Sequence, residues 1–234
     1  MHSTTRSYPT SRTRELAQMN HYLRGHRVED IIADRIRQHG DEVDVLEFGT
    51  GVGHVLLELR RLFPSIGLTG LNKRPSELLA GSEDLRRVAD DFGLLDELRD
   101  EDLPKIVFRD AREGQLDLFS DACFDVVISQ FAVRYIKRKD VLLNEIWRIL
   151  KPGGIALLQI GFMHVLDETG QPAGDELIAR LQGEGIAIDG SIGSVLRLEK
   201  NVTRPLRVPL IFQPQDSVAI PEKGYESYFS LLEH

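Results

Sequence analysis

The 234-residue chain has one cysteine, one tryptophan and no long apolar run, and these scarcities exclude several classes of protein. A single thiol, Cys123, excludes an internal disulfide framework and a zinc site built on cysteines. No stretch approaches the ~18 apolar residues of a membrane-spanning helix. Residues 1–9 are polar and lack the apolar core of a signal peptide. We therefore expect a soluble, cytoplasmic protein that does not insert into a membrane.

Positive charge is also scarce, because 29 Lys and Arg residues stand against 37 Asp and Glu, for a net charge of −8. An acidic chain is not attracted to phosphate backbones, which argues against a nucleic-acid partner. Residues 1–27 are the exception, with five arginines and one acidic residue, Glu15. This segment is either a solvated leader or an arm that meets an anionic substrate group. Residues 232–234 have the composition of a tag remnant.

What the sequence does contain is an alternation of short apolar runs and helical patterns. Apolar runs predict strands at residues 44–48, 65–71, 105–109, 125–129 and 155–160, with helices between them. The helical stretch at 74–103 is the longest, and residues 151–154, Lys-Pro-Gly-Gly, should stop the helix before the fifth strand. Residues 186–192 and 195–211 read as two further strands with no helix between them.

This alternation predicts an α/β fold. We expect a doubly wound, mostly parallel seven-stranded sheet with helices on both faces and an antiparallel C-terminal edge hairpin. The expected organisation is a helical leader or lid at residues 1–42, a core domain at 43–213 and a tail at 214–234.

The first predicted strand runs into a turn with glycines at alternate positions, Gly49, Gly51 and Gly53, and a helix follows at once. Such a turn lets a ligand lie against bare backbone beside free N–H groups. His54 stands where a dinucleotide site needs its third glycine, so the dinucleotide fingerprint is broken. Glu47 would repel a pyrophosphate but attract a cationic amino group. The turn therefore suits a zwitterionic ligand.

Residues 47–53, Glu-Phe-Gly-Thr-Gly-Val-Gly, resemble the first motif of the class I S-adenosylmethionine-dependent methyltransferases. The resemblance extends over about residues 43–213. It is carried further by residues 70–72 after the second strand, 109–112 after the third, 124–132 around the fourth, and 150–154 before the fifth. It implies S-adenosylmethionine as cofactor and S-adenosylhomocysteine as product.

The resemblance also implies the residues that hold the cofactor. Gly49, Thr50, Gly51 and Gly53 would line its methionine and ribose parts, and Glu47 would influence its amino group. Asp110 and the N–H of Ala111 would contact the adenine. The remaining contacts would come from Asn72, Ser129 and Gln130. Asn72 departs from the family, which has Asp or Glu there, and an amide lacks the charge-assisted strength of a carboxylate.

The acceptor side of the site is less clear from the sequence. Catalytic candidates are His164, after the fifth predicted strand, and Tyr135, after the fourth. Phe131, Tyr22 and His21 are candidates for substrate contact. His54 is expected at a helix start beside the turn and not in catalysis. No metal-ligand spacing stands out.

Three hypotheses remain open. The first is methyl transfer to O, N or C of a small molecule, with an anionic acceptor suited to the basic leader. The second is methylation of RNA or protein. The third is cofactor binding without methyl transfer, as in a regulatory subunit or a cyclase. A homodimer is compatible with each of them.

Overall fold

The computed structural model describes residues 15–73, 82–94, 98–130, 132–160, 163–166, 169, 171, 175–189, 195–206 and 211–214. The chain divides into two compact units, residues 1–110 and 111–234, which are described separately below. Within the described residues, no helix combines the length and the apolar character that crossing a membrane requires.

The first unit contains four helices and three parallel strands within its described part. In chain order these are α1 (Leu16–Tyr22), α2 (Val28–His39), β1 (Asp44–Phe48), α3 (His54–Leu62), β2 (Gly67–Asn72), α4 (Ser82–Asp91) and β3 (Lys105–Phe108). β2 lies between β1 and β3 and pairs with both in parallel.

The first unit folds around strands that are apolar on both faces. Val45, Leu46 and Phe48 of β1 are buried in succession, as expected for a parallel strand that is covered on both sides. A second cluster joins α3 to α4 through Leu57, Leu85 and Val88 and neighbouring apolar side chains. The turn between β1 and α3 is therefore fixed at both ends by core elements.

The helix α1 packs within the first unit, although the sequence analysis assigned its segment to a leader. Leu16, Met19 and Leu23 are buried, and the Leu16 N–H donates a hydrogen bond to Glu58 of α3. Three apolar residues at helical spacing supply the stabilisation that the short helix lacks by itself.

The second unit contains two helices and six strands within its described part. These are β4 (Phe124–Ser129), α5 (Lys139–Ile149), β5 (Leu150–Gln159), β6 (Met163–Leu166), α6 (Asp175–Gly183), β7 (Ile186–Asp189), β8 (Val195–Glu199) and β9 (Ile211–Pro214). β4 pairs in parallel with β5, whereas β8 pairs antiparallel with both β5 and β7. β6 and β9 form a separate antiparallel pair.

The strands lie in the order β3-β2-β1 in the first unit and β4-β5-β8-β7 in the second. The strand pairs β1–β2, β2–β3 and β4–β5 are parallel, and the C-terminal pair β7–β8 is antiparallel. The predicted fold class, a mostly parallel doubly wound sheet with an antiparallel edge hairpin, is confirmed.

Several element boundaries differ from those predicted. The helix expected over 74–103 is observed as α4 and ends at Asp91, where Gly93 adopts a left-handed conformation with φ of 67°; residues 74–81 lie outside the described residues. A separate 3₁₀ turn covers Asp100–Asp102. Helical periodicity in the sequence did not reveal this interruption, because a glycine at a helix C-terminus can be read as an internal residue.

The Lys-Pro-Gly-Gly segment also behaves differently, since it lies inside β5 and not before it. The helix α5 ends at Ile149, and the register between β4 and β5 shifts near Phe124. Gly153, with φ of 76°, allows this irregularity, and its N–H donates to the Lys200 carbonyl at 2.7 Å. The strand predicted over 195–211 is likewise shorter: β8 ends at Glu199, and β9, which begins at Ile211, pairs with a different partner.

Candidate functional site

The turn between β1 and α3 has the backbone geometry that its glycines predict. Gly49, Gly51 and Gly53 have φ values of 78°, 60° and 82°, all in the left-handed region that side chains disfavour. The Gly49 and Thr50 N–H groups both donate to the Leu71 carbonyl, at 2.8 and 3.2 Å. The turn is thus bound to the end of β2 and leads directly into α3.

Gly53 is needed for a second reason, which is close packing. A Cβ atom at this position would lie 2.7 Å from Leu85 Cδ1 of α4. Gly53 therefore allows α4 to approach the start of α3, and both conformation and space select glycine here.

Glu47, the acidic residue of the motif, is buried beneath the turn with 4% of its surface exposed. Its Oε2 accepts a hydrogen bond from Thr50 Oγ1 at 2.6 Å. Within the described residues, no Lys or Arg forms an ion pair with this carboxyl. Burial accordingly raises the pKa of Glu47 to about 8, and the Thr50 hydrogen bond lowers it only in part. A cationic group at this position would lower the pKa again.

Asn72 lies at the end of β2, where it binds the turn itself. Its Oδ1 accepts a hydrogen bond from the Gly51 N–H at 3.1 Å, and its Nδ2 donates to the Gly51 carbonyl at 2.7 Å. The sequence predicted a polar contact to a ligand at this position but not this contact to the turn. The residue type is compatible with this contact, because a side-chain amide can both donate to and accept from one backbone residue.

His54 begins α3, as expected, and is buried against an aromatic ring. Its imidazole stacks on Phe92 with a centroid separation of 3.9 Å and an interplanar angle of 11°. Burial lowers the pKa of His54, while the carboxylates of Glu58 and Glu15 oppose the effect. The contact with Phe92 supports a packing role.

The other predicted cofactor residues lie after two further strands. Asp110, in the first unit, is exposed two residues beyond the end of β3. In the second unit Ala111 is buried, Ser129 ends β4 with no exposed surface, and Gln130 is 8% exposed. Gln130 Nε2 is buried and, within the described part of the chain, has no hydrogen-bond partner. A buried donor without a partner is costly unless a ligand or water satisfies it.

The acceptor-side candidates are more dispersed. Tyr135 ends a 3₁₀ turn, Ala132–Tyr135, and is half-buried. His164 lies in β6 opposite Gln213 of β9. His21 is exposed on α1, which also carries Tyr22, and Phe131 lies outside the described residues. No group of three or more His, Cys, Asp or Glu side chains in the described ranges could hold a metal ion.

The fold and the turn together define an α/β protein whose candidate ligand site lies at the carboxyl end of β1. Two observations in the first unit fit the methionine-nucleoside cofactor that the motifs imply: the left-handed glycines, and the buried Glu47 carboxyl, which has no cationic partner among the described residues. Comparison with known proteins leads to the same class. Residues 46–158 match the family described as "Methyltransferase domain".

Individual relatives are similar to parts of the chain. Sterol 4-C-methyltransferase of Caenorhabditis elegans is 31% identical over 123 residues, which cover 53% of this chain and 32% of that protein. The chain thus spans about a third of the length of this curated relative. The DszA carbon methyltransferase is 17% identical, with a TM-score of 0.49 and coverage of 79% of this chain and 55% of its own.

Phosphoethanolamine N-methyltransferase 2 of Haemonchus contortus is 21% identical, with a TM-score of 0.41 and coverage of 73% and 41%. Residues 46–158 are thus similar to a methyltransferase family, over the same part of the chain in which the motifs lie in order.

Proposed function

We propose that this protein transfers the methyl group of S-adenosylmethionine to an O, N or C atom of a small-molecule acceptor. The observation that carries the proposal is the buried carboxyl of Glu47 beneath three left-handed glycines, with no cationic partner in the described part of the chain. The cofactor, when bound, supplies a methyl group activated on a sulfonium and an amino group of matching charge.

The residues of the first unit would hold the methionine end of the cofactor. Glu47 lies two residues before Gly49 and is oriented by the Thr50 hydroxyl, so its carboxylate is held by the same turn that would contact the ligand. A cationic amino group near Glu47 would offset the desolvation that raises its pKa. Glu47 thus favours a zwitterionic ligand over an anionic one.

Two further positions support a nucleoside ligand. Gln130 presents a buried donor that a polar ligand atom would satisfy. Asp110 lies just beyond β3, where an exposed carboxylate can accept a hydrogen bond from an adenine amine. We propose that Ala111 and Ser129 complete this part of the site.

The proposal of a small-molecule acceptor is supported by the net charge of the chain and by the name of one relative. A net charge of −8 disfavours RNA as the substrate. The curated relative is named for methylation of a sterol carbon, so sterols and other compact acceptors form the first panel to test. The arginines in residues 1–27 make anionic acceptors the second panel.

Binding and turnover can be measured separately. Calorimetry should show S-adenosylhomocysteine binding to the purified protein, and incubation with S-adenosylmethionine and an acceptor panel should release S-adenosylhomocysteine. Absence of binding would contradict the proposal at its first step. Binding with no turnover across both panels would favour the non-methylating hypothesis, and salt-dependent turnover of RNA would favour the macromolecular one.

We propose Tyr135 and His164 as contributors to acceptor orientation or deprotonation. Tyr135→Phe and His164→Ala should each lower kcat on an acceptor from the panel and leave the Kd for S-adenosylhomocysteine unchanged. His39→Ala, at an exposed position in α2, serves as the matched control. Unchanged kcat in either variant would remove that residue from the proposed site.

A further inference from the structure

Asn72 and Gly51 are joined by two hydrogen bonds that run in opposite directions. Gly51 N–H donates to Asn72 Oδ1 at 3.1 Å, and Asn72 Nδ2 donates to the Gly51 carbonyl at 2.7 Å. We call this pair of bonds the amide clip. Gly51 contributes a donor, its N–H, and an acceptor, its carbonyl. The clip therefore also fixes the orientation of the Asn72 amide, with Oδ1 toward the N–H and Nδ2 toward the carbonyl.

The backbone around Asn72 is itself held in place. The Asn72 carbonyl accepts a hydrogen bond from Arg109 N–H at 2.8 Å, and Asn72 pairs with Phe108 in the register of β2 and β3. The preceding residue, Leu71, accepts from Gly49 and Thr50. The clip therefore connects the middle of the glycine turn to an ordered strand end.

The turn needs such a connection because glycine has little conformational preference of its own. Gly51 has φ of 60°, one of many conformations open to it in a free chain. A turn that is not held would have to be ordered when a ligand binds, and that ordering weakens the observed affinity. A turn that is already ordered in the free protein does not lose this conformational entropy when the ligand binds.

Neither an ionised aspartate nor an alanine at position 72 can form the clip. An ionised aspartate at position 72 could accept from the Gly51 N–H but has no hydrogen to donate to the Gly51 carbonyl. Its charge would instead be placed near that carbonyl oxygen. Alanine could form neither bond. The contact therefore requires a side chain that both donates and accepts, as the Asn72 amide does and an ionised carboxylate does not.

We propose that Asn72 is a positioning residue that pre-organises the glycine turn for its ligand through the amide clip. The proposal rests on the proposed function only for the identity of the ligand, S-adenosylhomocysteine. It implies that replacing Asn72 by the isosteric acid weakens binding, although the acid would be the stronger acceptor for a ligand hydroxyl.

The clip can be tested without any ligand. Amide hydrogen exchange, followed by NMR, should be about tenfold faster at Gly51 in Asn72→Ala than in the wild type. The N–H of Gly49 bonds to the Leu71 carbonyl and should keep its protection, which shows that the variant is folded. Unchanged exchange at Gly51 would overturn the clip. This result does not depend on whether the cofactor binds.

The positioning role is tested by affinity. Asn72→Asp should bind S-adenosylhomocysteine about tenfold more weakly in calorimetry at a temperature where the variant is fully folded. Asn144→Asp is the matched control, because Asn144 is an exposed α5 residue whose Nδ2 donates to the Asp140 carbonyl. Equal or tighter binding by Asn72→Asp would overturn the proposal. Failure of the wild type to bind would instead contradict the proposed function and leave the exchange result standing.

Discussion

Glu47 offers the most direct test of the site. Its burial suits the binding of a cationic ligand, and in the ligand-free protein the same burial should make ionisation of Glu47 destabilising. Its pKa is raised from 4.5 to about 8 by burial. The folded protein therefore holds a proton on Glu47 over a pH range in which the unfolded chain has released it. Since the folded state binds more protons there, its stability falls as the pH rises from about 4.5 to about 8.

The magnitude follows from the two pKa values. Each pKa unit corresponds to about 1.4 kcal/mol. The rise in pKa from 4.5 to about 8 should therefore lower the free energy of unfolding by up to roughly 5 kcal/mol above pH 8, and should have no effect below pH 4.5. Glu47→Gln keeps the shape of the side chain and an oxygen for the Thr50 hydroxyl, but it cannot ionise.

The variant and the wild type should thus be similar near pH 5, and Glu47→Gln should become more stable by about 1.4 kcal/mol for each pH unit up to 8. Urea unfolding of ligand-free protein between pH 5 and 9 measures this difference. Glu101→Gln, at a side chain that is 70% exposed, is the control and should show no such slope. A difference between wild type and Glu47→Gln that stays constant with pH would refute the reasoning.

The same proton should appear in the binding reaction. At pH 7 a carboxyl with a pKa of about 8 is about 90% protonated, so pairing with a cationic amine would release nearly one proton. Calorimetry of S-adenosylhomocysteine in buffers of different ionisation enthalpy measures this release. The Glu47→Gln variant should bind more weakly and release no proton from this position.

Two stability predictions follow from packing and from charge. Gly53→Ala should lower the free energy of unfolding by about 2–4 kcal/mol, because positive φ and the approach to Leu85 add together. Gly93→Ala, with positive φ but nothing within 4 Å of the added carbon, should cost less in the same urea titration. Arg148→Lys should cost about 1–3 kcal/mol, because its guanidinium bonds two carboxylates and two carbonyls at once. Arg138→Lys, at an exposed ion pair, should be nearly neutral; equal losses in the two arginine variants would contradict this reading.

Much of the fold was predictable because its signals are local. The strand at 44–48 was predicted with the observed bounds, since an apolar run that ends in glycines has few alternative structures. The boundaries near 151–154 were not predictable, because the Pro-Gly-Gly segment is accommodated in β5 through pairing with residues distant in the chain. The pairing of β6 with β9 joins segments about 50 residues apart, which no local pattern records.

The sequence by itself determined the order of strands β1 to β5, the left-handed glycines of the turn and the presence of an acid before them. Each of these depends on residue type and immediate neighbours, so spacing was enough to find them. Only the tertiary structure decided what Glu47 and Asn72 do. The pKa of Glu47 depends on its removal from water, and the clip depends on the end of β2 meeting a turn 21 residues earlier. Burial and contacts between distant residues arise only when the chain is packed.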